Sequence, residues 1–233
     1  MIVAIDGPAG AGKSTVTRLL AKRINFEFLD TGAMYRAVTW CAIQNDISLS
    51  DHEALRDLAE QIEIGFDDDK VFVNGDDATQ QIRHPDVTRQ VVSVADAPAV
   101  REHLVKLQRR IAEQGDFVCE GRDQGTVAFP NSFCKIFLTA SSRARALRRV
   151  EQMRAAGQYV DFDQVIREQD LRDEQDFNRE IGRLMKAEDA IEVNTDKQTL
   201  EEVVEILVAI VKDRMAAAQK GLANDCPLDE PPI

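Results

Sequence analysis

Short apolar runs recur at Ile2 to Ile5, Phe26 to Leu29, Phe117 to Cys119, Ile136 to Leu138 and Ala190 to Val193. Runs of this length with little polar alternation predict strands buried on both faces, as in a parallel sheet. The intervening segments carry helical spacing instead. Val16, Leu19, Leu20 and Ile24 mark one apolar stripe, and Val100, Leu104, Leu107 and Ile111 another that begins near Pro98. Val203, Ile206, Leu207, Ile210 and Val211 predict a last helix over Leu200 to Met215, while the third and fourth strands are joined by a loop. The alternation predicts an α/β domain with a five-stranded parallel sheet flanked by helices, and ligands at the carboxyl ends of its strands.

One segment breaks the alternation. Ile62 to Phe66, the acidic turn Asp67 to Asp69, Val71 to Val73 and the turn Asn74-Gly75 read as a hairpin, hence a small β-containing insertion at roughly residues 62 to 85. Residues 221–233 hold three prolines, three acids and little to bury, which predicts a disordered acidic tail behind a single domain of residues 1–220.

Composition narrows the setting. With 44% apolar residues, 30% charged residues and no apolar run near the ~18 needed to cross a bilayer, the chain reads as soluble, without a membrane partner. No basic stretch precedes an apolar leader, so secretion is not expected. Cys41, Cys119, Cys134 and Cys226 show neither C-x-x-C spacing nor a histidine cluster, which fits core thiols in the cytoplasm. A net charge of −12 disfavours nucleic acid as a partner, because backbone phosphates must be neutralised by lysine and arginine. Small anions remain open to it, since Arg143, Arg145, Arg148, Arg149, Arg167, Arg172, Arg179 and Arg183 are concentrated locally. No heptad or exposed apolar stripe calls for a second copy, so a monomer is expected.

The chemistry starts where the first strand ends. Gly7-Pro8-Ala9-Gly10-Ala11-Gly12-Lys13-Ser14 is a full G-x-x-x-x-G-K-S/T loop between a strand and a helix. Its glycines let successive N–H groups point at the phosphates of a nucleoside triphosphate, and the helix adds its positive end. Lys13 would reach the β and γ phosphates, and the Ser14 hydroxyl would hold Mg²⁺.

Three further segments could supply an acceptor site. Asp30-Thr31-Gly32-Ala33-Met34-Tyr35-Arg36 opens a helix after the second strand, where Thr31 and Arg36 could face one anion or could serve as a cap and a solvated charge. Glu120-Gly121-Arg122-Asp123-Gln124-Gly125-Thr126 ends the third strand with a bidentate phosphate donor and a carboxylate able to accept from an exocyclic amine, or else forms an ordinary turn. Arg172, Asp176 and Arg179 share one helix face, either as a site or as internal ion pairs of a solvated helix.

Together with Lys135-Ile136-Phe137-Leu138, these motifs occur in the order and approximate spacing of the bacterial cytidylate kinases, which the chain resembles over roughly residues 2–212. The resemblance implies a P-loop nucleoside monophosphate kinase fold, with an acceptor-binding insertion at about 31–98 and a helical lid at about 148–184. It implies MgATP-dependent phosphorylation of CMP and dCMP to the diphosphates. On that reading ATP is held by Gly7, Pro8, Ala9, Gly10, Ala11, Gly12, Lys13, Ser14 and Thr15, with Arg145 beside them. Arg36, Arg122 and Arg179 hold the acceptor phosphate, Thr31 and Tyr35 line its site, Arg172 and Asp176 contact the ribose, and Arg101 and Asp123 read the cytosine. Arg145, Arg148 and Arg149 match the arginines of the lid edge, and Lys13, Arg122, Arg149 and Arg179 form the catalytic set.

Two positions depart from the family pattern. Val92, followed by Ser93, stands where relatives have a base-reading serine, and Arg183 stands where they have a proline, adding another cation. A kinase for UMP, AMP or a sugar acid is the nearest competing reading. A GTP switch is disfavoured by the lack of an N-K-x-D motif, and a noncatalytic nucleotide-binding module would release no ADP in response to CMP.

Overall fold

The computed structural model describes residues 1–67, 69–155 and 157–224. Its centre is a parallel sheet of five strands: β1 (Ile2–Asp6), β2 (Glu27–Asp30), β6 (Phe117–Glu120), β7 (Cys134–Thr139) and β8 (Ile191–Asn194), in the spatial order β2-β6-β1-β7-β8. β1 sits in the middle with Ile5 opposite Glu120 of β6, and β2 flanks β6 with Asp30 opposite the same glutamate. The carboxyl ends of β1, β6 and β2 therefore lie side by side. That brings the phosphate-loop sequence, the Arg122-Asp123 turn and the Thr31 helix to one edge of the sheet.

The inner strands β6, β1 and β7 are mostly apolar because both faces are covered, whereas the edge strands β2 and β8 expose Glu27, Glu192 and Asn194. Val3, Ile5 and Val118 pack with α1 (Lys13–Ile24) and α8 (Leu200–Asn224) on one side. Phe117 and Cys119, one residue out of phase, pack on the other side with residues of α2 (Thr31–Gln44), α3 (His52–Gln61), α4 (Pro85–Ala95) and α5 (Pro98–Ala112). Cys41, Cys119 and Cys134 are buried free thiols, while Cys226 lies outside the described residues.

The insertion is larger than a hairpin. β3 (Ile64–Asp67), β4 (Lys70–Val73) and the short β5 (Asp76–Asp77) form a three-stranded antiparallel sheet, followed by a 3-10 turn at Gln81–Arg83. The connection between β6 and β7, expected as a loop, holds a π-helical turn at Gln124–Ala128. α6 (Ser142–Ala155) and α7 (Phe162–Asn178) pack on each other between β7 and β8.

Two helical stripes are rotated from their expected positions. In α1 the buried face is Lys13, Val16, Thr17, Leu20 and Ala21, with Leu19 exposed. In α8 Val204 and Val208 are buried where Ile206 was expected to be. α8 also continues past Met215 to Asn224, so residues 221–224 are helical rather than the start of a disordered tail. The rest of that segment lies outside the described residues. No helix among the described residues is long and apolar enough to cross a membrane.

Candidate active site

The donor loop is built by close approach. A side chain at Gly7 would strike the Leu138 carbonyl of β7, so glycine lets the chain leave β1 tight against its neighbour. Gly12, at φ +88, caps α1 in a left-handed conformation and turns the loop's amides inward. Lys13 is only 4% exposed, and its Nζ donates to the Pro8 carbonyl at 2.7 Å. Burial, then the Arg122 guanidinium, push its ammonium well below the usual lysine range; Glu120, Asp176 and Asp6 act in the opposite direction. Lys13 thus lies within electrostatic reach of the acceptor-side residues. Ser14 and Thr15 are exposed at the start of α1.

Ser14 points to a residue that motif reading overlooked. Its Oγ donates to Glu120 Oε1 at 2.9 Å, while Glu120 Oε2 is buried without a partner. Burial, followed by the nearby Asp30 carboxylate, raises the Glu120 pKa. A buried free carboxylate oxygen beside a hydroxyl at a phosphate loop is a hard-oxygen donor set, as Mg²⁺ prefers. The signal was present in the sequence, since Glu120 ends its strand directly before Gly121-Arg122-Asp123. Its pairing with Ser14 needed the strand order.

Asp6 is a second such residue. Its two carboxylate oxygens accept from the Gln124 and Gly125 amides, each at 2.8 Å, and so fasten the Arg122-Asp123 turn to the root of the donor loop. Burial raises its pKa to about 7, against the lowering effect of those two amides. Because the folded value lies above the unfolded one, the native state takes up the proton first, and this group's contribution to stability declines as pH rises from about 4 to 7. Asp6→Asn keeps one acceptor but sets an amide donor against the other N–H. It is expected to destabilise the protein by about 2 kcal/mol at pH 5, with the deficit shrinking by pH 8 as wild type loses its proton. Thermal unfolding at the two pH values checks this, and equal deficits would contradict a raised Asp6 pKa.

On the acceptor side, α2 is capped by Asp30, which accepts from the Ala33 amide at 2.9 Å, and not by Thr31. Thr31 instead donates to the Glu120 carbonyl at 2.6 Å, and Arg36 pairs with Asp30 at 2.9 Å, one fifth exposed. Tyr35 is buried, its phenol pushed up to about 12 mainly by burial, and the Arg101 guanidinium lies 5.4 Å from its ring centre. Arg101 and Asp123, each about 4% exposed, form an ion pair. Burial raises the Asp123 pKa despite that partner.

The C-terminal turns of α7 complete the site. Asp176 accepts from Arg122 Nε at 2.9 Å through one oxygen and from Arg179 Nη2 at 2.8 Å through the other. Arg179, one residue beyond the helix, also donates to Asp96 at 2.5 Å, a carboxylate between α4 and α5 that the motifs did not reveal. The Asp176–Arg179 pair is thus internal to the segment, as the solvated-helix alternative required, but it is buried and shared with the Arg122 turn. Arg172 Nε is buried without a partner. Its guanidinium is pulled down to about 10 by burial, then by Arg122, with Arg36 and Arg149 adding to the effect and Asp176 opposing it. The guanidiniums of Arg36, Arg122, Arg149, Arg172 and Arg179 and one bridging carboxylate therefore share this region, which suits a polyanion.

The α6 arginines divide. Arg145 is buried and donates to the Ala9 carbonyl at 2.8 Å and to the Ala140 carbonyl at 3.1 Å, while pairing with Asp173 of α7 at 2.5 Å. It bolts the donor loop to α7. Arg148 donates to the Thr195 carbonyl at 2.6 Å, and Arg149 is exposed on the same helix. Arg183 does not join the cluster: it is exposed and donates to the Met185 sulfur. Val92 is half-buried on α4, and Ser93 lines a surface groove with Ile43, Ser48 and Ser50, so it does not replace the missing base-side serine.

The family model for cytidylate kinase matches residues 3–213. The cytidylate kinase of Rhodopirellula baltica is 44% identical over 224 residues, covering 96% of this chain and 98% of the relative. That of Carboxydothermus hydrogenoformans is 48% identical over 215 residues, covering 91% and 97%. Among solved structures, an uncharacterised protein from Eubacterium ventriosum shares the fold at a TM-score of 0.52 and 14% identity, over 91% of this chain and 98% of that one. A phosphate loop, an arginine-rich acceptor edge and near full-length matches all lead to one assignment: the chain belongs to the cytidylate kinase family.

Proposed function

We propose that the chain transfers the γ-phosphoryl group of ATP to the 5′-phosphate of CMP, and of dCMP, giving ADP and the diphosphate. The observation that carries this reading is the single carboxylate of Asp176 gripping Arg122 and Arg179 within electrostatic reach of Lys13, an arrangement that suits an anion-binding acceptor edge beside a triphosphate-binding loop. The acceptor is already an anion, so no strong base is needed. The barrier is repulsion between two phosphates, which positioned cations lower.

Lys13 and the loop amides of Gly7 and residues 9–13 hold the donor's phosphates, with Pro8 in the loop between them and Thr15 at the opening turn of α1. Ser14 and Glu120 would hold Mg²⁺, which when bound neutralises charge on the β and γ phosphates. Arg36, Arg122 and Arg179 grip the acceptor phosphate, Arg149 reaches in from α6, and Arg145 acts on the donor side through its grip on the Ala9 carbonyl. Arg172 and Asp176 contact the sugar, and Thr31 and Tyr35 line the acceptor phosphate's site. Residues 31–98 form the acceptor insertion and 148–184 the lid, whose first boundary falls inside α6. The enzyme acts as a cytoplasmic monomer on free nucleotides.

Asp123 accepts from the cytosine amine, whereas uracil presents a carbonyl there and is repelled. Asp123→Ala is expected to lower kcat/KM for CMP about 30-fold, a loss in the range of one good base contact, with the KM for ATP unchanged. Steady-state kinetics with coupled ADP detection measures this; an unaltered CMP profile would remove Asp123 from base recognition.

A further inference from the structure

The buried Arg101–Asp123 pair has a cover. Beyond α7 the Leu184 amide donates to the Asp176 carbonyl at 2.7 Å, and Leu184 is 1% exposed, which folds residues 179–184 back over the site. Within that strap Gly182 is buried at φ +69, a left-handed conformation that side chains resist. A Cβ placed on it would run into Nη2 and Cζ of Arg101 and Oδ2 of Asp123 together. The pair therefore meets bare backbone, and a side chain at position 182 would have to displace the Arg101 guanidinium or the Asp123 carboxylate. Among the described residues, the Arg101 side chain is otherwise held by the Ala95 carbonyl at 3.1 Å and the Tyr35 ring.

We propose that Gly182 is a specificity-determining residue: the strap seats on Arg101 and Asp123 because position 182 has no side chain, and that seat fixes the pair in the orientation that separates cytosine from uracil. This rests on the reading that Arg101 and Asp123 recognise the base. A pair fixed and shielded from water discriminates better than a mobile, hydrated one, since an unmatched polar edge then finds no substitute partner. Gly182 acts as a positioning residue, without touching the substrate.

The test compares four variants for kcat and KM with CMP, UMP and ATP, after thermal unfolding shows each to be folded. Gly182→Ala adds both the backbone penalty and the collision. Gly182→Asn adds the collision in a residue that tolerates positive φ. Asn25→Ala, exposed at φ +59 at the C-cap of α1 and outside both the insertion and the lid, adds the backbone penalty alone. Both Gly182 variants are expected to raise the CMP KM about tenfold and to cut the CMP-over-UMP ratio of kcat/KM by about as much, with the ATP KM unmoved; Asn25→Ala stays within about twofold of wild type. A wild-type ratio in Gly182→Asn, or an equal loss in Asn25→Ala, overturns the proposal. Asp123→Ala separates the two levels of inference. If it collapses the ratio while the Gly182 variants do not, the strap has no role and base reading stands; if it leaves the ratio intact, base reading falls and the strap proposal with it.

Discussion

Lys13→Met is expected to lower kcat by about 1,000-fold, the scale of losing one preorganised charge contact to a transferring group, while the protein melts at or above the wild-type temperature. The two outcomes have one cause. Lys13 is 4% exposed, and burial has already pushed its ammonium well down, so the folded protein bears a cost for keeping that charge ready. Methionine fills the same volume without it, and replacing a buried charge by an apolar side chain of similar size is often neutral or stabilising. A lysine whose purpose was structural would show the opposite: lower melting temperature and near-normal turnover. Single-turnover phosphoryl transfer and a thermal melt on the same preparation decide between them, and a kcat within tenfold of wild type would remove Lys13 from the chemistry.

Asp176→Ala should cost both stability and activity. Its carboxylate satisfies Arg122 and Arg179 at once, and its charge also supports the buried Arg172 guanidinium. Without it, three neighbouring guanidiniums lose their shared counter-charge, and among the described residues Arg179 keeps Asp96. Removing one partner of a buried ion pair costs about 4 kcal/mol, which for a chain of this size lowers the melting temperature by about 10 °C. kcat/KM for CMP is expected to fall about 1,000-fold, since the acceptor's phosphate loses two aligned donors. Saturating CMP, whose phosphate replaces the missing negative charge, should restore part of the melting temperature by mass action. A variant that melts like wild type, or that gains nothing from CMP, would show that Asp176 does not organise an anion site.

The same residue gives a pH signature. Burial alone would raise the Asp176 pKa, but Arg122 and Arg179 outweigh it and hold the carboxyl below its ordinary value of 3.8. A depressed carboxylate contributes stability that is present above the unfolded pKa and is lost as pH falls through the folded one. Asp6 runs in the opposite direction, so the acid limb of wild-type stability reflects both.

Much of this was readable from residues alone. The inner strands announced themselves because strands covered on both faces have no polar side to conceal, the edge strands β2 and β8 only through short apolar runs interrupted by acids, and the donor loop because its spacing is physically demanding. The two-residue β5, Asp76-Asp77, carries no alternation at all; only its pairing with Phe72 and Val73 makes it a strand. Asp6, Asp96 and Glu120 were hidden for a related reason. Each is a single carboxylate at an element's end, and its meaning comes from a partner far along the chain: Asp6 with Gln124, Asp96 with Arg179, Glu120 with Ser14. Arginine counting likewise put Arg183 beside Arg179, although the left-handed turn at Gly182 leaves Arg183 outside the cluster.

Steady-state turnover of CMP, dCMP, UMP and AMP with MgATP bears most simply on whether these residues form a cytidine monophosphate kinase. kcat/KM for CMP should exceed that for AMP by at least about 100-fold, with dCMP turned over and UMP a poorer acceptor, as a buried carboxylate reading an exocyclic amine requires. Equal turnover of AMP and CMP would contradict it.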